Sequence, residues 1–209
     1  MPAPVLLVHG WGSSFQRTWV ATGISALLED AGRTVIGVDL LGHGEADKPH
    51  DSEAYRDLTA RLVDVLPEGD VVDAVGFSLG ALTLLELACA QSGRFGRIVL
   101  AGVRGEAPED DVQAQAFRHY AEQPGNDPTA LAAALDRPAW EVTEAGLAAL
   151  TAPVLVAIGD RDFAGPADRL VAALPDARLV VLRNTDHFAT PESFAFIDAM
   201  LGFLDAVPA

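Results

Sequence analysis

Six short apolar runs, separated by segments of helical spacing, constrain the fold of this 209-residue chain more than any other feature. Most of the runs are almost continuous in apolar residues, which is typical of strands that are covered on both faces. Alternation of such strands with helices predicts an α/β fold with a doubly wound, mainly parallel sheet. The predicted strands are residues 4–9, 34–39, 71–77, 97–101, 153–158 and 178–182.

The segments between these runs have the spacing of amphipathic helices. Gly32, Gly69 and Gly93 stand where three of the helices should end, because glycine readily adopts the backbone conformation that terminates a helix. The predicted helices are residues 19–31, 55–66, 81–91, 166–174 and 194–204.

Residues 103–151 interrupt the alternation of strand and helix. This stretch has no strand-like run and is rich in alanine, glutamine, glutamate and proline, which indicates two or three short inserted helices. The insertion leaves the sheet at the carboxyl ends of the strands, where open α/β sheets bind ligands. We therefore expect one domain, residues 1–209, in which residues 103–151 form a helical cap over a site; a remote subdomain is the alternative.

The pentapeptide Gly-Phe-Ser-Leu-Gly at residues 76–80 lies between a predicted strand and a predicted helix. In a sharp strand-to-helix turn, the glycines allow close packing and the serine hydroxyl projects beyond the sheet. The free N–H groups and positive dipole end of the following helix then face any anion that forms there. This context predicts that Ser78 is a nucleophile.

Other polar motifs also follow predicted strands. They are His-Gly-Trp-Gly at residues 9–12, Gly-Asp-Arg-Asp at 159–162 and Asp-His-Phe at 186–188. Together with Ser78, they give the chain order serine, acid, histidine. In motifs, order and strand context, nearly the whole chain resembles the α/β-hydrolase superfamily, of the serine esterase type found in small bacterial carboxylesterases.

The resemblance implies a role for five residues. Ser78 would be the nucleophile, His187 the general base and Asp162 the acid that orients the histidine. A serine hydroxyl needs such a base, and the imidazole needs a partner that fixes its tautomer. The oxyanion of a tetrahedral intermediate needs two aimed N–H donors, which the motifs assign to Leu79 and Trp11.

The acid is the assignment with the most alternatives. The family pattern Gly-x-x-Asp selects Asp162 over Asp160, and Glu106 occupies a position that some family members use. Asp186 is adjacent to His187, and immediate neighbours rarely bring their side chains into usable geometry. The motifs give His9 and His43 structural roles, with His9 supporting the loop after the first strand.

The chain also departs from the family pattern. Typical members have one or two further strands before the His-Gly strand, so we expect a sheet trimmed at its N-terminus to about six strands. The short insertion should leave a shallow, open site. A serine at position 78 excludes the family's haloalkane dehalogenases and epoxide hydrolases, which form an alkyl ester on a carboxylate.

Composition excludes several classes of partner. A net charge of −16 argues against nucleic acid and anionic membranes, which require a clustered basic surface. Five scattered histidines and the single Cys89 predict neither a metal site nor a disulfide, and we expect no cofactor. Cys89 should be a buried, inert thiol. The N-terminus lacks the pattern of a signal peptide, so we expect a cytoplasmic protein.

These observations predict a serine hydrolase that cleaves a small or acyl-chain carboxylic ester through an acyl-enzyme. Thioesterase, lactonase and carbon–carbon bond hydrolase activities use the same residues and stay open as alternatives. A non-hydrolytic lyase or perhydrolase, or a ligand-binding receptor with low turnover, is the alternative of another class. The expected partner is a small-molecule ester, and the sequence leaves the oligomeric state open.

Overall fold

The computed structural model describes residues 2–104, 120–137 and 142–206. Within these ranges, six strands form one all-parallel sheet in the order β2-β1-β3-β4-β5-β6. This result confirms the predicted α/β class and the sheet of about six strands. The strands are β1 (Val5–Val8), β2 (Val35–Val38), β3 (Val72–Phe77), β4 (Phe95–Ala101), β5 (Val154–Gly159) and β6 (Ala177–Leu182).

Helices connect the strands as the alternating pattern predicts. The α-helices are α1 (Ile24–Asp30), α2 (Thr59–Val65), α3 (Leu79–Ala90), α4 (Pro128–Leu135), α5 (Glu144–Ala149), α6 (Asp168–Ala173) and α7 (Phe194–Phe203). A π-helical turn covers Gln16–Val20, and 3₁₀ turns cover Ser52–Tyr55, Ser92–Arg94 and Thr190–Glu192.

Two predicted helices begin later than expected. The prediction of one helix over residues 19–31 was wrong, because Gly23 has a φ of 82° and separates the π-helical turn from α1. The prediction of one helix over residues 55–66 was also wrong in its first turn. Asp57 Oδ1 accepts hydrogen bonds from the N–H groups of Thr59 and Ala60, and the α-helix begins only there.

Apolar side chains cover both faces of the sheet. In β1, Leu6 and Val8 belong to the cluster that packs against α2, α3, α5 and α6, whereas Val5 and Leu7 belong to the cluster with α1 and α7. Alternate residues of each central strand therefore enter opposite apolar layers, which explains why the strands appear in the sequence as continuous apolar runs.

The strand order places a crevice beside β1. The chain passes from β1 to β2 on one side and then returns to β3 on the other, so the crossover direction reverses between β1 and β3. Loops that leave two such strands diverge at their carboxyl ends, and open α/β sheets bind ligands there. The His-Gly-Trp-Gly loop follows β1, and Ser78 follows β3.

The insertion between β4 and β5 contains two of the described helices, α4 and α5. Asp127 caps α4 and Thr143 caps α5 through side-chain oxygens that accept backbone N–H groups. The remaining residues 105–119 and 138–141, and with them Glu106, lie outside the described ranges. The division of the chain into one domain with a cap over residues 103–151 stays a prediction. Among the described residues, no helix is both long and apolar enough to cross a membrane.

Candidate active site

The turn at Ser78 is fixed by close backbone packing. Ser78 has a φ of 53°, and it joins the end of β3 to the first turn of α3. A Cβ atom on Gly76 would lie 2.6 Å from the Cα of Ala81, and one on Gly80 would lie 2.4 Å from the carbonyl oxygen of Val8. Both glycines are therefore required by the space between strand and helix.

Ser78, His187 and Asp162 form one hydrogen-bonded series. The Oγ of Ser78 lies 2.9 Å from Nε2 of His187, and Nδ1 of His187 lies 2.9 Å from Oδ1 of Asp162. An ionised carboxylate can only accept, so the proton of the neutral imidazole is on Nδ1. Nε2 is then an acceptor for the hydroxyl of Ser78. The structure thus brings together the three residues that the motifs select.

Half-buried neighbours hold the buried histidine and carboxylate in place. His187 is 3% exposed and Asp162 is 8% exposed. The N–H of Ala164 donates to Oδ1 of Asp162 at 2.8 Å, and the ring of Phe163 lies 4.3 Å from that of His187. These contacts leave the carboxylate little freedom to turn away from the imidazole.

The other candidate acids have different partners. Asp160 is exposed, and its Oδ1 accepts the N–H of Thr185 at 3.3 Å. Asp186 Oδ1 accepts the N–H groups of Phe188 and Ala189, which closes the turn after His187. Both carboxylates therefore stabilise loops.

The predicted oxyanion donors lie on the two segments that flank the serine. Leu79 is the first residue of α3, where N–H groups have no intrahelical acceptor. Gly10 lies next to Ser78, since a Cβ on this glycine would be 3.3 Å from the Cβ of the serine. Trp11 follows Gly10, and its indole Nε1 donates to the carbonyl of Leu131 in α4 at 3.1 Å.

His9 and His43 occupy buried positions at the same edge of the sheet. Nε2 of His9 accepts the N–H of Leu40, so its Nδ1 carries the proton and donates to the carbonyl of Gly10 at 2.8 Å. Burial lowers the pKa of His9, and burial lowers the pKa of His43 to about 3. Both imidazoles are therefore neutral, and His9 has the loop-supporting contact that the sequence predicts.

A cavity of about 150 Å³ opens beside Ser78 and His187. Its lining combines apolar, largely aromatic residues with a cation and hydroxyl groups. The apolar part consists of Trp11, Phe77, Tyr120, Phe188 and Pro191; the polar part consists of Ser13, Arg17, Thr18 and Thr22, with Glu192 also in the lining.

Residues 120–131 hold the loop after β1 by several bonds. Nδ2 of Asn126 donates to the carbonyl of Gly12 at 2.8 Å and to the carbonyl of Tyr120 at 2.9 Å. Arg17 donates to the carbonyl of Pro124 and, at 3.5 Å, to Oδ1 of Asn126. Together with the indole of Trp11, these bonds join the loop that carries one predicted oxyanion donor to the insertion.

Sequence reasoning missed most of the cavity wall. Of the lining residues, Phe188 is adjacent to His187, so its position beside the motif was a usable signal. Arg17 and Asn126 belong to no motif, and no pattern in the sequence connects them.

Metal and thiol chemistry find no support in the described parts of the chain. No cluster of histidine, cysteine and acidic residues in these ranges could hold a metal ion. The prediction of a buried Cys89 is only partly right, because this residue is half-buried. Desolvation raises the pKa of its thiol to about 11, so the reactive thiolate is scarce at neutral pH.

A parallel sheet with a serine at a strand-to-helix turn, bonded to a histidine and an aspartate, defines the class of α/β hydrolases. The sequence profile of the alpha/beta hydrolase family matches residues 5–199, and the chain belongs to this family.

Known relatives share the fold at low sequence identity. The chain resembles a bromoperoxidase from Bacillus anthracis (21% identity, 98% of this chain and 92% of that chain, TM-score 0.79). It also resembles the enol-lactonase from Burkholderia xenovorans LB400 (21% identity, 98% and 92%, TM-score 0.77). An uncharacterized protein of Mycobacterium tuberculosis is 32% identical over 110 residues, which span 52% of this chain and only 31% of that protein.

Proposed function

We propose that this protein is a serine hydrolase that cleaves a small or acyl-chain carboxylic ester through an acyl-enzyme intermediate. The observation that carries this proposal is the series of hydrogen bonds from Ser78 through His187 to Asp162, whose serine end lies at a cavity. A neutral imidazole that accepts the hydroxyl proton is what makes a serine nucleophilic.

Acylation uses all five residues that the motifs select. Ser78 Oγ attacks the ester carbonyl while its proton passes to Nε2 of His187, and Asp162 stabilises the resulting imidazolium. The N–H groups of Trp11 and Leu79 donate to the oxyanion of the tetrahedral intermediate. The imidazolium then returns its proton to the departing alcohol oxygen as the carbon–oxygen bond breaks.

Deacylation repeats these roles with water as the nucleophile. Water attacks the acyl carbonyl while its proton passes to Nε2 of His187. The second tetrahedral intermediate collapses, the bond to Ser78 Oγ breaks, and the serine regains its proton from the imidazolium. The products are a carboxylic acid and the free enzyme.

We assign residues 103–151 as the cap over this site. The described part of the segment supports the assignment, because it forms two hydrogen bonds with the loop after β1. The carbonyl of Leu131 accepts one from Trp11, and Asn126 donates the other to the carbonyl of Gly12. Tyr120 also lines the cavity. A cap that contacts the loop can shape the access of a small-molecule ester to Ser78.

The fluorophosphonate reaction tests the nucleophile. The probe should label Ser78 in the wild-type protein, and Ser78→Ala should remain unlabelled and lose at least about 10⁴-fold in kcat on p-nitrophenyl acetate. Peptide mass spectrometry locates the adduct. A wild-type protein that folds but takes up no probe contradicts the assignment.

A substrate screen separates ester hydrolysis from the alternatives on the same residues. Esters, thioesters and lactones of matched chain length are compared by kcat/KM, with Ser78→Ala as the control. The likeness in fold to an enol-lactonase makes the lactone arm the second candidate. A lactone or thioester preferred over every ester would replace the proposed substrate class.

A further inference from the structure

The lining of the cavity beside Ser78 includes a positive charge that ester hydrolysis itself does not require. Arg17, in the π-helical turn after β1, is half-buried and lines the same cavity as Ser78 and His187. It forms no ion pair with any carboxylate in the described ranges; its guanidinium donates to the carbonyl of Pro124 and to Oδ1 of Asn126. A guanidinium has five N–H donors, so Arg17 has donors left for a ligand.

A pair of hydroxyl groups lines the same cavity as this arginine. Ser13 Oγ and Thr18 Oγ1 are 2.8 Å apart, both residues line the cavity, and Thr18 is only 5% exposed. Two hydroxyls carry two hydrogens, and the bond between them uses one. Because neither oxygen donates to another group in the described ranges, the second hydrogen is available to an acceptor in the cavity.

The chemistry of the cavity lining favours one kind of occupant. A cavity of about 150 Å³ has room for a short acyl chain. An apolar acyl chain of this length would desolvate the guanidinium and the hydroxyl pair without giving them an acceptor, which is unfavourable. A carboxylate accepts from both, and a guanidinium binds it with two parallel bonds.

We propose that Arg17 and the Ser13–Thr18 hydroxyl pair form a subsite for a carboxylate, and that the preferred substrates are half-esters of short dicarboxylic acids. In this arrangement, the ester carbonyl lies at Ser78 Oγ and the free carboxylate of the same acyl group lies at Arg17 and the hydroxyl pair. The identity of the substrate class rests on the hydrolase function proposed above.

Glu192 is the negative charge that opposes this assignment. It also lines the cavity, but its side chain is exposed, and charges in contact with water interact weakly. Arg17 is less exposed and bonded on one side to the insertion, so its charge should dominate. The contribution of Glu192 is measurable, because Glu192→Gln should increase kcat/KM for an anionic ester by a few-fold.

The test compares substrates of equal length that differ in charge. Monomethyl esters of succinic, glutaric and adipic acid are each matched with the methyl ester whose terminal carboxylate is replaced by a carboxamide. A methyl ester with a terminal trimethylammonium group provides the cationic counterpart. Wild-type kcat/KM, followed by proton release, should be higher for the best half-ester than for its carboxamide by about tenfold or more, as for a charge-assisted hydrogen bond.

Variants then assign this preference to Arg17. Arg17→Gln should remove the difference between half-ester and carboxamide. Any loss of kcat/KM for the carboxamide reports the bonds from Arg17 to Pro124 and Asn126, and the half-ester should lose about tenfold more than the carboxamide. Arg17→Lys should retain part of the preference, because it keeps the charge but not the planar pair of donors. Arg56→Gln is the control for net charge, since Arg56 is an exposed residue paired with Glu53; it should leave the preference unchanged.

Binding to an inactive variant separates the subsite from the hydrolysis. By calorimetry, Ser78→Ala should bind the half-ester at least about tenfold more tightly than the carboxamide, and the double variant with Arg17→Gln should not. If wild-type protein cleaves no ester but this binding difference is found, the hydrolase proposal fails and the carboxylate site stands. Three results would each overturn the subsite. The first is equal binding and turnover of the half-ester and its carboxamide, and the second is an equal loss for these two substrates in Arg17→Gln. The third is a preference for the cationic ester.

Discussion

Each end of the sheet buries a carboxylate beside a nitrogen-bearing side chain. At one end the hydrogen bonds continue to a cavity, and at the other they end on backbone carbonyl oxygens. At the carboxyl end, Asp162 accepts from His187, whose other nitrogen bonds to Ser78 at the wall of a cavity. At the amino end, Asp73 pairs with Arg33, and both side chains are almost fully buried.

The difference lies in the hydrogen bonds that remain. Nε, Nη1 and Nη2 of Arg33 all donate within the protein, to Asp73 and to the carbonyl oxygens of Ala3 and Leu204. Ser78 is only partly buried, and its oxygen borders open space. At the carboxyl end, the buried carboxylate is therefore linked through its hydrogen-bonded partner to an atom that borders a cavity. The same kind of pair, closed by backbone carbonyls, stabilises the fold.

The largest effect should follow from changing the carboxylate at the open end. Asp162→Asn should lower kcat by about 10³–10⁴-fold, because an amide can hold the wrong imidazole tautomer. Hydrolysis of p-nitrophenyl acetate measures the loss. Asp160→Asn is the matched control, because Asp160 bonds only to the loop at Thr185, and it should change kcat by less than about threefold. Equal small losses in the two variants would place the acid elsewhere.

Changing the carboxylate at the closed end should affect stability and spare catalysis. Asp73→Asn leaves the buried Arg33 without its charge partner, so the free energy of unfolding should fall by about 3–5 kcal/mol. Urea unfolding measures this change. Asp205→Asn removes an exposed pair with Arg97 and should cost at most about 1 kcal/mol. A loss of kcat in folded Asp73→Asn protein would show that the two ends of the sheet are coupled.

His43 combines features of both ends of the sheet. It lies at the carboxyl end, like Ser78, but it is buried, like Asp73, and its charged or polar neighbours are His9, Asp39 and Lys48. Its pKa is about 3 in the folded protein and 6.5 in the unfolded chain, so between these values the unfolded state binds the extra proton. Stability therefore falls as the pH falls below 6.5. At pH 5 the loss is about 2 kcal/mol, from 1.36 kcal/mol per pKa unit.

The measurement is the free energy of unfolding of wild type and His43→Gln at pH 7 and pH 5. The wild type should lose about 2 kcal/mol more than the variant over this interval. Parallel curves would show that His43 is solvated or bonded as an imidazolium in the folded protein.

The smallest expected effect concerns the bonds that hold the loop after β1. Asn126→Ala removes the donor to the carbonyl of Gly12, so kcat should fall by about two- to tenfold, as for one hydrogen bond, with KM almost unchanged. Asn126→Asp should give a similar loss, because the carboxylate cannot donate. An unchanged kcat in both variants would mean that the loop keeps its shape without the insertion.

Strands and the serine turn were predictable from the sequence because local rules determine them. Continuous apolar runs indicate buried strands, and the glycines at 76 and 80 are required by contacts that recur wherever a helix follows a strand this closely. The choice of Asp162 over Asp160 needed the family motif. Both aspartates lie in the same loop after a strand, and the spacing of apolar residues does not distinguish between them.

The contacts between the insertion and the segment after β1 were not predictable in the same way. Asn126 meets Gly12 across 114 residues of chain and meets Arg17 across 109, so only the folded sheet brings them together. The prediction of one helix over residues 19–31 was wrong for a local reason. The apolar residues keep helical spacing across Gly23, although this glycine has a left-handed backbone conformation that interrupts the helix.

The separation between Ser78 and His187, 109 positions along the chain, has a consequence for folding. The histidine follows β6, an edge strand, so the bond to the serine forms only after β3, β4, β5 and β6 have aligned. Contacts between distant segments form slowly, because a long loop must close first. During refolding, the recovery of Ser78 reactivity should lag behind helix formation, so this reactivity would report the docking of β6.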